Sequence, residues 1–472
     1  MNERKIAAEV DVWAALHREE LVRDLKELIA IRSVAVPGEG GYAIGTGCHL
    51  AAEKMQELAK RYGFAAENDD DYAVSVLLPG SEGKRELGIL GHIDVVPEGD
   101  GWQHSPFEAV EKDGWLIGRG ASDNKGPMIM ALYVLRCMRE KGYHLKSTLR
   151  LIAGCCEETD MRDVRHYLKT HDAPAFTLNC DGAWAACIGE KGILTADLRQ
   201  EIADGNLLSI GGGRASNVVP DEAWAVLSRV EEEALEKAKK LCPSLEVQKR
   251  EEGVRLCVRG KAAHCFVPEK GDNAIRRLIH LLSDAQLLTG DAEDRISRLC
   301  QCFPDDYGTG LRIQHQDSLS GKTTCMSSLI RMENGVLTAH INVRFALTQN
   351  SDLLLSALRK RLEKLHIELC HVQCSPPRYD APDQPIVKML VDTCQTWLGK
   401  EHKPYVMGGG THSRIFPRSL PYGVGSKDPR MKNPFGSAHS ADEAVNIDLL
   451  LKSMKVYVLA LMKLDEYFDS NP

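Results

Sequence analysis

Residues 88–102 read GILGHIDVVPEGDGW, an apolar run that closes on His92 and Asp94 and then dissolves into Pro97, Glu98, Gly99, Asp100 and Gly101. Side chains two apart in an extended segment share a face, so His92 and Asp94 can approach one another. A carboxylate on one imidazole nitrogen fixes the tautomer and leaves the other nitrogen for a metal ion. Taken alone, His-x-Asp is more often a hydrogen-bonded surface pair. The pattern recurs, however. TLRLIA (148–153) runs into Glu157 and Glu158 of GCCEETD, and AFTLNC (175–180) runs into Asp181. Asp123, in GASDNKGP, precedes a helical stripe of Met130, Val134, Leu135 and Met138, with Pro127 suited to the first turn. Apolar strands alternating with helices predict an α/β fold with a doubly wound, mostly parallel sheet, whose strand ends collect the functional groups.

Upstream, Leu21, Leu25, Leu28 and Ile29 stand at helical spacing and predict a docked amphipathic helix. After about Trp184 the texture changes. GILTADLRQEI, AWAVLSRV, LEVQKRE and GVRLCVRG read as antiparallel strands, joined by two more at 324–332 and 336–345, with helices over 231–241, 273–288 and 352–365. That is an α+β insertion. Pro376, Pro377, Pro382 and Pro385 punctuate its end, and a helix over 386–398 resumes the first texture. The expected layout is a discontinuous catalytic domain, 1–183 and 384–472, interrupted by a lid or substrate-binding domain at 184–383. A chain of 472 residues exceeds what one core ordinarily serves.

Hydrophobic residues at 43% and charged residues at 27% suit a soluble globular protein, and a net charge of -8 argues against a broad nucleic-acid-binding surface. Residues 1–31 are charged and helix-periodic, without the apolar core and cleavage site of an export signal. No apolar run nears the roughly 20 residues that span a bilayer. A cytoplasmic protein without a membrane partner is expected. Fifteen cysteines, odd in number and irregularly spaced, fit reduced thiols better than a disulfide framework. Cys370 and Cys374 around His371, with no second pair, are a weak zinc signal.

Most of the polar residues singled out here have an ordinary role to set beside a functional one. Asp123 suits a helix N-cap, Asp181 a turn in Asp-Gly, and His439, in GSAHSADE, a polar loop. Glu157 and Glu158 resist such a reading, because adjacent carboxylates at the end of an apolar strand repel unless a proton or a cation relieves them. Consecutive side chains diverge, so one can ligate a metal while the other faces the water that the metal activates. Asp94, Asp123, Glu157, Glu158 and Asp181 are five carboxylates that the topology can gather at one sheet edge, and two divalent cations offset four of those charges. Mixed carboxylate and imidazole donors suit zinc, manganese or cobalt.

Through GHIDVVPEGDGW, DNKGP, EETD, CDG, GKAAHCFVPEKGDNAI, NVRF, GGGTHSR and GSAHSADE, in that order, the chain resembles the co-catalytic dizinc hydrolases that include aminoacylases, succinyl-diaminopimelate desuccinylase and carnosinase. It looks most like the PepV-type dipeptidases. The resemblance implies that Asp123 bridges two metal ions, zinc foremost, that His92 and Asp181 hold one of them, and that Glu158 and His439 hold the other. It implies that Asp94 orients His92, and that Glu157 is general base to the metal-bridging water and then acid to the departing amine. His264, in AAHC, is implied to stabilise the oxyanion from the lid, and Asn217, Arg344 and Arg414 to contact substrate. A small peptide substrate and a monomer, with a dimer as the alternative, follow from the same resemblance.

Two places depart from that pattern. His412 and Ser413 stand in GGGTHSR where relatives commonly carry Tyr and Ala, and Asp160 stands in EETD where Gly is usual. The first bears on substrate preference, and the second adds negative charge beside the acid pair. The glycine runs 211–213 and 408–410 lack the Lys-Ser/Thr continuation of a phosphate loop and are read as backbone room beside a substrate. The expected function is metal-dependent hydrolysis of the peptide bond of short unblocked peptides. Release of an N-acyl group from an amino acid is the alternative within that class, and a peptide-binding protein without turnover is the alternative outside it.

Overall fold

The computed structural model describes every residue except Met1, Lys84, Lys427, Pro429, Arg430 and Pro472. The chain divides into two compact units. Met1–Ile188, Asp380–Tyr405 and Gly410–Pro472 form the first, and Gly189–Tyr379 with Val406–Gly409 the second. The returning segment therefore lends a short stretch to the second unit before it rejoins the first.

The first unit is built on a six-stranded sheet in the order Ala65–Asp69, Ala73–Leu78, Thr148–Gly154, Glu86–His92, Phe176–Asn179 and Ser419–Pro421. The first two strands form an antiparallel hairpin, and Ala73–Leu78 runs antiparallel to Thr148–Gly154. The remaining pairings are parallel. The sheet is therefore mostly parallel, as the alternation of strands and helices predicts, with a hairpin along one edge. Leu87 to His92 are all buried. Both faces are covered, which is why this run reads as continuously apolar instead of alternating.

The helix Lys125–Glu140 differs from its expected one-sided stripe, for every residue from Lys125 to Met138 is buried. It packs on the sheet and against both Arg18–Ile29 and Ile447–Ser470, so no face is left for solvent. Each large apolar side chain so enclosed stabilises the fold by roughly 1.5–3 kcal/mol relative to an exposed one. The expected opening helix is Arg18–Ile29, with Leu21, Leu25, Leu28 and Ile29 buried, and a further helix, Glu3–Leu16, precedes it.

The second unit is an eight-stranded antiparallel sheet in the order Glu246–Arg250, Gly253–Arg259, Glu222–Leu227, Leu207–Gly212, Thr324–Glu333, Val336–Phe345, Gly192–Glu201 and Glu368–Ser375. Gly192–Glu201 alternates buried and half-buried residues, as a strand with one covered face should. Helices Ala274–Asp284, Asp291–Cys302 and Ser351–Lys364 bring Leu278, Leu282, Ile296, Leu299 and Leu358 to a core that includes Leu194 and Leu198. The helical pattern read over 273–288 stops at Asp284, and Asp291–Cys302 follows as a separate helix. All fifteen cysteines are free. Among the described residues no helix is long and apolar enough to cross a membrane.

Candidate metal centre

Parallel register brings three strand ends of the first unit level. His92 pairs with Gly154, and Leu90 with Asn179. Just beyond these ends lie Asp94, the pair Glu157 and Glu158, and Asp181. Asp123 sits one residue ahead of Asn124, which takes the N-cap position of the helix Lys125–Glu140 expected of Asp123, and His439 lies in the segment that leads to the strand Ala444–Asn446.

Asp123 sets one carboxylate oxygen against each of two imidazoles. Its Oδ1 lies 3.0 Å from His92 Nε2, and its Oδ2 lies 3.1 Å from His439 Nε2. Glu158 Oε1 is 2.8 Å from the same His439 nitrogen. Donor atoms of His92, Asp123 and Asp181 fall within 4.8 Å of one another, as do those of Asp123, Glu158 and His439. Asp123 thus belongs to two triads at once.

Asp94 stands beyond the strand, not in it. His92 Nδ1 is 3.0 Å from its backbone carbonyl and 3.3 Å from its Oδ1. The carboxylate also accepts the backbone N–H groups of Glu157 and Glu158, each at 3.1 Å. One acid therefore orients the imidazole and grips the two glutamates. Glu157 is 9% exposed, and its Oε1 is buried without a hydrogen-bond partner.

The electrostatics follow from crowding. Burial, then the Asp181 charge, pushes Glu157 well above the ordinary carboxylate range. Burial and Asp123 raise Glu158, and the same two causes push Asp181 up to about 7. Burial opposes the cationic form of both imidazoles. Asp123 and Asp94 nevertheless hold His92 well above its usual value, and Asp123 and Glu158 push His439 up to about 11. Burial would raise Asp123 too, but His439 and His92 hold it low. Carboxylates in excess of imidazoles share one partly buried cluster, with His439 at its exposed rim, and the set recruits protons unless cations take their place. Two triads with a common carboxylate and surplus negative charge fit a pair of divalent cations.

A pH dependence is expected from Asp181. Its carboxyl is raised from 3.8 to about 7 by folding, so its contribution to metal-free stability is complete below pH 3.8 and lost as the pH rises through 7. A cation must displace that proton. Titration calorimetry in two buffers of different ionisation enthalpy should show more protons released on cation binding at about pH 6 than at about pH 8. Equal release at both would contradict the raised value.

Some supporting residues escaped the sequence reading. Glu443 is wholly buried and accepts N–H groups of Gly120 (3.2 Å), Ser122 (2.9 Å) and Asp123 (2.9 Å), together with the Ser122 hydroxyl (3.0 Å). Its other partner is the buried Arg119 guanidinium, 2.7 Å away. The available signal was an acid four residues after His439 in the same motif. Glu443→Ala leaves the Arg119 charge buried and unpaired, so unfolding in urea should show a loss of about 3–5 kcal/mol. An unchanged midpoint would refute this account. Asn179 performs a related task, accepting the Asp181 N–H at 3.0 Å and donating to Thr411 Oγ1 and Ser413 Oγ at 3.1 and 3.0 Å.

Three expectations change. His412 and Ser413 are buried and bond to Asp163 and Asn179 respectively, so this departure lies beneath the site as support. Asp160 is clasped by Arg162 at 2.6 Å, and the carboxylates that raise Glu157 are Asp181, Glu158 and Asp123. Most glycines of the two runs make room for the protein's own groups, while a Cβ on Gly409 would meet only Met407 Cε, at 3.8 Å. A Cβ on Gly211 would strike the Trp224 ring, one on Gly213 the Ser328 carbonyl, and one on Gly408 the Phe266 ring.

In the second unit, Val218 bridges to His264, and Cys265 N–H donates to the Asn217 carbonyl at 2.9 Å. The Cys265 carbonyl accepts from Thr324, whose strand pairs it with Arg344. Asn217, His264 and Arg344 are thereby linked through Cys265. Arg344 is buried, donating to Asn342 Oδ1 at 2.9 Å and the Gly408 carbonyl at 3.3 Å. Arg414 lies in the first unit, in the turn His412–Arg414, with its guanidinium over Gly410.

A mostly parallel sheet that carries two carboxylate–imidazole triads with a shared acid at its strand ends is the build of a metal-dependent hydrolase. Residues 88–463 match the model of Peptidase family M20/M25/M40, and the chain belongs to that family. It is 31% identical over 470 residues to YtjP of Bacillus subtilis (strain 168), provisionally named a dipeptidase, covering 95% of this chain and 97% of that one. It is 29% identical over 467 residues to the Beta-Ala-Xaa dipeptidase of Lactobacillus delbrueckii subsp. lactis, covering 96% and 97%. Among solved structures it is similar to human carnosine dipeptidase 1, with a TM-score of 0.60 and 15% identity over 98% of this chain and 99% of that one. Dug1p of Saccharomyces cerevisiae gives a TM-score of 0.59 and 13% identity over 99% of each chain. At such identities the likeness is one of fold.

Proposed function

We propose that the protein is a metal-dependent dipeptidase acting on short unblocked peptides. The observation that carries this reading is Asp123 with one oxygen on each of two imidazoles, beside Glu157 with a buried, unpartnered carboxyl oxygen. The dipeptidase names of the Bacillus and Lactobacillus relatives support it. His92 and Asp181 would hold one divalent cation, Glu158 and His439 the other, and Asp123 both, with zinc foremost and manganese or cobalt as alternatives. When bound, such cations acidify a water and polarise the scissile carbonyl.

Glu157 takes the proton of the attacking water and returns it to the departing amine, a task suited to a carboxyl held above the ordinary carboxylate range by burial and the Asp181 charge. Asp94 keeps that residue's backbone and the His92 ring fixed. His264 is the proposed donor to the oxyanion, and Asn217, Arg344 and Arg414 the proposed substrate contacts, the arginines suiting the peptide carboxylate. A cytoplasmic monomer without nucleic-acid or membrane partners completes the proposal. Purified, metal-loaded protein should release free amino acids from Ala-Ala-type dipeptides and leave N-acetyl and N-succinyl amino acids intact. Cleavage of only the acylated set would replace the dipeptidase reading by the deacylase one.

A further inference from the structure

Behind the acid pair lies a second pairing of an acid with an imidazole. Asp163 and His412 are both fully buried, with His412 Nε2 at 3.1 and 3.0 Å from the two Asp163 oxygens. An ionised carboxylate only accepts, so Nε2 carries the hydrogen and donates. The same carboxylate accepts two backbone N–H groups, of Cys156 at 2.9 Å and of Val164 at 2.8 Å. Cys156 immediately precedes Glu157.

Space for the pair comes from Gly154, the residue that faces His92 across the parallel register. A Cβ there would collide with Asp163 Oδ2 and His412 Cε1. The His412 ring meets the His92 ring edge-on, centroids 6.2 Å apart at 89°. The pair therefore touches the imidazole side of the centre through His412 and the glutamate side through the Cys156 N–H. Asp94 grips the next two N–H groups, so backbone amides of three successive residues, Cys156, Glu157 and Glu158, are each held by a buried carboxylate.

We propose that the Asp163–His412 pair is a strut that sets the position of the Cys156–Glu158 segment against the strand end at His92, making His412 a positioning residue for the proton transfer by Glu157. This rests on the hydrolase reading above. His412 touches no substrate; it acts through Asp163 and the Cys156 N–H. Losing its donor frees the carboxylate to turn and lets the segment shift. A misplacement of the order of 1 Å at a reacting group lowers turnover by about 100-fold.

The test compares His412→Phe, which keeps a ring but loses the donor, with His412→Gln, which restores an N–H at similar reach. In His412→Phe, kcat for a dipeptide should fall about 100-fold with KM within about twofold and both metal equivalents retained. Hydrogen exchange in peptides covering 155–159 should quicken. His412→Gln should recover most of kcat and of the exchange protection. Wild-type kcat in His412→Phe, a raised KM at unchanged kcat, or a Gln variant as impaired as Phe would each overturn the proposal. Should His412→Phe fail to fold, Asp163→Asn, which keeps an acceptor for Cys156 but weakens the hydrogen bond from His412, carries the same readouts. Wild-type protein that hydrolyses no peptide would defeat the hydrolase reading, while the exchange comparison still decides the strut.

Discussion

Glu157→Ala protein should bind two equivalents of cation and hydrolyse a dipeptide about 1,000-fold more slowly than wild type, the middle of the range for loss of a general base or acid. The same variant should be the more stable protein. Glu157 Oε1 is buried without a partner, and burial with neighbouring carboxylates disfavours its charge. Removing an unsatisfied buried polar group relieves a penalty of about 1–3 kcal/mol. Metal-free Glu157→Ala should therefore melt above the metal-free wild type. Undiminished hydrolysis would sink the assignment of the base, and a lowered melting temperature would show that the carboxyl has a partner in solution.

Asp123→Ala has a different signature. Its two oxygens meet His92 and His439 separately, and it alone among the described residues is common to both triads of the centre. Elemental analysis should find well under one equivalent of metal, where Glu158→Ala or Asp181→Ala loses the ligand of one triad only. Activity should fall below detection. Retention of two equivalents would mean that the triads are independent and that the shared carboxylate does not join them.

Much of this centre was legible from the residues because His92, Asp123, Glu158 and Asp181 lie at or just past a strand end or just ahead of a helix, boundaries with strong apolar-to-polar contrast, whereas His439, in a turn, was read through its motif alone. His92 and Asp181 follow runs that are buried on both faces. The elements that carry no such contrast were missed. Glu368–Ser375 is an edge strand with no wholly buried residue, and its polar composition gave no alternation to read. Ser419–Pro421 is three residues long, too short for any period. Glu443 was invisible as a clamp because its partners are backbone N–H groups far away in the chain, which residue type does not encode. Asp94 was assigned one task from its spacing to His92, and its hold on the glutamates emerged only with tertiary structure. The departures at His412 and Asp160 were noticed for their identity; Asp163, the partner of His412, is distant in the chain and emerges only with tertiary contact, whereas Arg162 stands two residues from Asp160 and was within reach of a local reading.

The discontinuity of the first unit orders events at the ribosome. The triad of His92, Asp123 and Asp181 is complete in sequence before the second unit begins, whereas the triad of Asp123, Glu158 and His439 waits until that whole unit has emerged. Glu443, which steadies Asp123, is made later still. On the proposed ligand set, the residues for one cation are all synthesised before the second unit, whereas those for a pair of ions, and with them peptide cleavage, would be complete only near the end of synthesis. A cell that makes this enzyme is spared a half-built hydrolase.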